Sequence, residues 1–152
     1  MDIEGSEVIN APLELVWQGL NDPAVLRQCI PGCERLDRRS DTEWDVAVAI
    51  GIGPIKARFE GEMHLSNIVP PRAYTISGEG KGGLAGFAKG SADVSLTAQP
   101  DGTTLMAYVL RGDVGGKIAN IGGWIVRSTA RKLGAQFFHT LAETVKRQAA
   151  QG

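Results

Sequence analysis

The 152 residues are enough for one domain with a substantial core. Sixteen Lys and Arg against 17 Asp and Glu leave a net charge of −1, which excludes a basic field for nucleic acid. No apolar run reaches the roughly 18 residues of a membrane span, and the acidic opening Met1-Asp2-Ile3-Glu4 is unlike a secretion signal, so a single domain over 1–152 in the cytoplasm is expected.

Residues 3–9 predict a first strand. Asn10 is the expected cap of a helix in which Leu13, Val16, Trp17 and Leu20 share a face. Asp22-Pro23 restarts a second short helix, with the carboxylate as cap and the proline at the first helical position. It presents Val25 and Leu26 and ends at Pro31-Gly32. Cys29 and Cys33 flank that turn. Four-residue spacing invites a metal reading, but His64 and His139 are isolated and zinc needs four ligands. A disulfide across so short a loop would be strained. Two free thiols and no bound metal are therefore expected.

From Trp44 the period becomes two. Trp44, Val46, Val48 and Ile50 alternate with Asp45, Ala47 and Ala49. After the turn at residues 51–54, Ile55, Ala57, Phe59, Gly61, Met63 and Leu65 alternate with Lys56, Arg58, Glu60, Glu62, His64 and Ser66. Such a run predicts a long antiparallel strand with one wet face. Pro70-Pro71 turns it, and Tyr74, Ile76 and Gly78 continue on the next strand. The glycine-rich residues 78–86 have strands on both sides, so they suit a bend and not a dinucleotide loop, which needs a helix after it. Further strands are expected over 88–98 and 104–114.

Residues 117–148 form the element to which the rest must pack. Ile118, Ile121, Ile125, Val126, Ala130, Leu133, Phe137, Phe138, Leu141 and Val145 make one helical stripe, opposite Arg127, Arg131, Lys132 and Lys146. The whole predicts an α+β fold, a curved antiparallel sheet wrapped around a long C-terminal helix, with two short helices after the first strand.

The inward positions Gly61, Gly78, Ala88, Gly90 and Ala92 are small in mid-sheet. Small residues under a helix mean either close approach or an unfilled cavity. The surrounding inward residues are apolar, and Tyr108 is the one inward strand group able to titrate. Acid–base catalysis needs a His or carboxylate within reach of substrate. His64 is predicted outward, and no Ser-His-Asp, Cys-His or zinc-hydrolase pattern is present.

Ala11-Pro12 with Val16-Trp17, Asp22-Pro23, Ile30-Pro31-Gly32-Cys33-Glu34 and Gly115-Gly116-Lys117-Ile118-Ala119 resemble the CoxG family of carbon monoxide dehydrogenase subunits, in the START-like (SRPBCC), helix-grip superfamily. The resemblance covers residues 2–148. It implies a non-catalytic accessory protein of a molybdenum hydroxylase of the carbon monoxide dehydrogenase type. Such a protein would bind a hydrophobic ligand, a quinone or lipid, or recruit the enzyme to the membrane. No covalent cofactor is implied. Some members continue into a linker and apolar tail, whereas this sequence stops at Gly152. Membrane contact is therefore expected to be peripheral, through the basic face of Arg127, Arg131 and Lys132. Phe59, Phe87, Ala92, Tyr108, Leu110, Ile118, Ile121 and Trp124 are the expected ligand contacts, with Tyr108 bonding a polar head. Ile30 and residues 80–86 are expected to frame the entrance. Two other readings stay open, a structural adaptor with a filled core and a small enzyme of the same fold.

Overall fold

The computed structural model describes residues 2–151, so the ends of the expected 1–152 domain, Met1 and Gly152, lie outside them. In chain order the elements are β1 (Asp2–Ile9), α1 (Leu13–Asn21), α2 (Pro23–Cys29), β2 (Cys33–Ser40), β3 (Glu43–Ile52), β4 (Ile55–Val69), β5 (Ala73–Lys81), β6 (Phe87–Ala98), β7 (Thr104–Gly115) and α3 (Gly123–Gln151). Short 3₁₀ turns occupy Gly83–Ala85 and Gly116–Asn120. The strands form one curved antiparallel sheet in the order β1-β7-β6-β5-β4-β3-β2. Strands β2 to β7 make a meander. β1 closes onto β7, and α1 and α2 carry the chain from one sheet edge to the other.

Local chemistry accounts for most of this. Residues 55–66 do run as one strand, continuing to Val69. Asp22 accepts from Ala24 N at 2.9 Å and Pro23 opens α2, as its residue types demand. Three expectations need correction. Asn10 does not cap α1, because Pro12 occupies the N-cap with extended backbone and no side-chain bond. β2 escapes the periodicity because Glu34, Arg35, Asp37, Arg38 and Arg39 crowd an edge strand in which Leu36 is the one half-buried large apolar residue. The C-terminal helix begins at Gly123 and not at Lys117. Gly122 has φ +113, which no right-handed helix accommodates, so the preceding residues form a separate 3₁₀ turn.

Two apolar clusters result. The larger joins the concave sheet face to α1, α2 and the C-terminal half of α3. It includes the fully buried Trp44, Tyr74, Leu20, Leu26, Met106, Phe138, Leu141 and Val145. Two of its polar groups are paired with backbone: Tyr74 Oη donates to Leu20 O at 2.9 Å, and Thr104 Oγ1 donates to Ala11 O at 2.8 Å, whereas the buried Trp44 Nε1 has no partner among the described residues. α1 crosses α3 so closely at Gly19 that a β-carbon there would lie 2.6 Å from Val145 Cγ2. The smaller cluster gathers Ile52, Phe59, Ala85 and Ile118, with Ile55 and Ile121 against them.

Candidate functional site

The strand register explains what lies between the two clusters. Three inward rows cross β4 to β7: Leu65-Ile76-Ala92-Leu110, then Met63-Gly78-Gly90-Gly112, then Gly61-Gly80-Ala88-Val114. Inward volume falls nearly to zero where β5, β6 and β7 meet in the middle row. α3 spans the gap with Val126, Thr129, Ala130, Leu133, Gly134 and Phe137. The result is a cavity of about 410 Å³, lined by residues of both clusters and within the usual range for a small-molecule site.

Both readings of the small residues hold, each at different positions. A β-carbon on Gly61 would stand 1.8 Å from Glu79 O, and one on Gly134 would stand 2.3 Å from Leu110 Cδ1. Those two glycines permit close approach. On Gly78 and Gly90 the nearest atoms would be the backbone oxygens of Glu62 and Arg111, each at 3.3 Å. Those glycines leave the cavity floor as bare backbone.

The charged neighbours of this floor alternate onto the convex face. There Glu62 meets Arg39 at 3.1 Å and His64 at 3.5 Å, and Arg111 pairs with Asp93. The Asp93 carboxyl is held below its usual range by hydrogen bonds from Thr75 and then Arg111. His139 lies exposed on α3, 3.4 Å from Glu7. Neither histidine belongs to the cavity wall. Thr129 puts a hydroxyl on the α3 wall, and it donates to Ile125 O at 2.8 Å. Among the described residues no group of three His, Cys, Asp or Glu is placed to hold a metal, and no helix is long and apolar enough to cross a membrane.

Of the residues expected to meet a ligand, Ile30, Phe59, Ala92 and Leu110 are on the wall. The others are elsewhere. Tyr108 lies flat on Phe138, ring centroids 4.0 Å apart and 15° from parallel, and covers Gly5 on the neighbouring strand. Its hydroxyl is pushed to higher pKa by burial and then by Glu7. It is a core group, because the register sets it one row beyond the Ala92-Leu110 row that borders the cavity. Ile118 is fully buried in the smaller cluster, and Ile121 packs against that cluster. Phe87 covers Gly115, and Trp124 stands out from the first turn of α3, 76% exposed. The break at Gly122 is what removes Ile118 and Ile121 from the helical stripe. The wall residues not foreseen as contacts, Val126, Ala130, Leu133 and Phe137, were marked by that same stripe one to four turns later.

Of residues 80–86, expected to frame the entrance, Gly80 lines the cavity; beyond it Gly82 N bonds Gly86 O at 2.7 Å, which closes the tip of the β5–β6 connection. A β-carbon on Gly86 would be 2.0 Å from Gly115 O, so this tip is seated directly on the 3₁₀ turn before α3.

The CoxG family of carbon monoxide dehydrogenase subunits matches residues 5–146. No protein of curated function matches the sequence. A conserved protein from Geobacillus kaustophilus has a similar structure, with TM-score 0.88, 29% identity, and 97% of this chain and 96% of that one covered. The aromatase/cyclase ZhuI from Streptomyces sp. R1128 superposes with TM-score 0.65 at 11% identity, covering 97% and 94%. A truncated norcoclaurine synthase from Thalictrum flavum does so with TM-score 0.65 at 14% identity, covering 95% and 92%. The last two likenesses establish the architecture alone, a sheet gripping a C-terminal helix. With a family match over nearly its whole length and a helix-grip fold of START-like type, the chain belongs to the CoxG family of carbon monoxide dehydrogenase subunits.

Proposed function

We propose that the protein is a non-catalytic carrier that holds a long, mostly apolar molecule, a quinone or lipid, between the sheet and α3. It would serve a molybdenum hydroxylase of the carbon monoxide dehydrogenase type and meet the membrane peripherally. The observation that carries this reading is the glycine-floored cavity, whose inward side chains are apolar apart from an internally bonded threonine. Each methylene buried there contributes roughly 0.8 kcal/mol, so an isoprenoid or acyl tail would bind with few polar contacts. Acid–base chemistry lacks a residue to perform it, since His64 and the strand carboxylates face the other way.

The test is Ala92→Phe. Ala92 lies on the wall between Ile76 and Leu110, and a phenyl ring there fills the void. The variant is expected to lose quinone binding in a fluorescence titration while keeping its far-UV circular dichroism. Unchanged affinity in the folded variant would sink the placement. Failure to fold would favour the structural adaptor, and turnover of a bound compound would favour the enzyme.

A further inference from the structure

We propose that the convex face of the sheet, from β1 across β7 and β6 to the β4–β5 turn, is a contact surface through which two copies of this chain pair face to face. The starting observation is β7. Residues 105–110 are apolar at every position, the pattern of a strand covered on both faces. Met106 and Tyr108 are buried in the core on the concave side. Leu105, Ala107 and Val109 therefore alternate onto the convex side, where they are half-buried. β4 shows what a wet face looks like in this sheet. Its convex positions are Lys56, Arg58, Glu60, Glu62, His64 and Ser66.

Register extends the patch. Val8 faces Leu105, Ser6 faces Ala107, Ser95 follows on β6, and Ala73 and Val69 continue the row on β5 and β4. The small side chains of Ser6, Ala107, Ser95 and Ala73 floor a groove of about 660 Å³. Val8, 61% exposed, and Val69, 56% exposed, stand beside its two ends. Strands about 4.8 Å apart make a row from β1 to β4 roughly 20 Å long. Small residues along that row let a second sheet approach to the usual packing distance of about 10 Å.

Charge selects the occupant. The groove is lined by Glu4 and Asp93 and by no lysine or arginine, which disfavours an anionic surface. Asp93 is already paired with Arg111. Glu4 on β1 and Arg72 in the β4–β5 turn are both exposed and make no salt bridge among the described residues. They carry opposite signs and sit at opposite ends of the row. A two-fold axis running along the strands lays β1 of each copy over the β4–β5 turn of the other. Glu4 of each then approaches Arg72 of the other, and the valine ends overlap. Such a surface is its own complement, as a two-fold contact requires. A net charge of −1 leaves little repulsion between copies. Pairing along the free edge of β1 would instead gather Asp2, Glu4 and Glu7 from both copies. The cavity and α3 lie on the concave side and stay free, so this pairing does not rest on the carrier reading.

The test is analytical ultracentrifugation over a wide range of protein concentration. A patch of this size is at the small end for specific interfaces, so a monomer–dimer equilibrium with Kd on the order of 10–100 µM is expected. Ala107→Arg puts a guanidinium on the groove floor and should leave only monomer, with far-UV circular dichroism unchanged. Val8→Asp, at a more exposed position, should do the same and serves where the first variant fails to fold. Glu4→Arg and Arg72→Glu should each weaken dimerisation roughly tenfold, and the two together should restore it. Wild-type protein that stays monomeric throughout overturns the proposal. A dimer that persists unchanged in Ala107→Arg or Val8→Asp overturns it as well, because the contact then lies elsewhere. Charge reversals that fail to compensate one another overturn the two-fold arrangement, and the proposal with it.

Discussion

Gly134 on α3 faces Leu110 on β7 at a distance that leaves no room for a side chain, the added β-carbon falling 2.3 Å from Leu110 Cδ1. The obstructing atom is the end of a flexible side chain that borders the cavity. In Gly134→Ala the leucine is expected to turn into that space. The helix gains up to about 1 kcal/mol of propensity, so the melting temperature should hold or rise. Affinity for an apolar probe should fall, because Leu110 now occupies part of the void. A titration that leaves affinity unchanged would show that Leu110 moves elsewhere.

Tyr108 and Phe138 form a stacked pair behind the cavity, with Gly5 beneath the tyrosine ring. Gly5→Ala sets a methyl group 2.3 Å from that ring, so a loss of about 1–3 kcal/mol is expected in urea unfolding. Tyr108→Phe keeps the stack and removes a hydroxyl that is off the wall. Quinone or lipid affinity should be the same as in the wild type, and a tenfold loss would restore Tyr108 as a ligand contact.

Alkaline stability follows from Cys29. Burial pushes its thiol from 9.0 up to about 12. A thiol that holds its proton more tightly when folded stabilises the protein fully below pH 9, and that contribution is lost as pH rises through 12. The slope is roughly 1.4 kcal/mol per pH unit in that window. Tyr74, buried with its hydroxyl on Leu20 O and also raised by desolvation, acts in the same direction from pH 10 upward. Cys29→Ala should therefore decline less steeply than the wild type in urea midpoints measured across the window. In the native state near neutrality, iodoacetamide should modify the half-buried Cys33 well before Cys29.

The cap at Asp22 has a consequence for the site. α2 drives Val25, Leu26 and Cys29 into the core and delivers Ile30 and Pro31 to the cavity wall. Asp22→Ala removes the bond to Ala24 N and is expected to cost about 1 kcal/mol. Apolar probe binding should weaken modestly with it. An unchanged unfolding midpoint would mean that Pro23 alone starts the helix.

The architecture was legible in the residues themselves wherever one face is wet and the other dry. Period-two alternation through residues 55–66 and the three-and-four stripe from Val126 to Val145 specify which side chains go inward, and Asp22-Pro23 specifies a helix start. The same logic is silent for β2, whose charges lie on an edge with little to bury, and for Gly122, since a glycine in sequence does not declare a φ of +113. Small residues at Gly78, Gly90 and Ala92 announced that something was missing from mid-sheet. Periodicity says which face a residue takes but not which residues stand beside it. Strand register alone aligned Gly78, Gly90 and Gly112 into one row and left Tyr108 outside it, on Phe138. The seating of α3, pulled in at Gly19 and Gly134, then decided whether that row would be covered by side chains or left open. Those distances arise between elements far apart in the chain, so only the packed structure contains them.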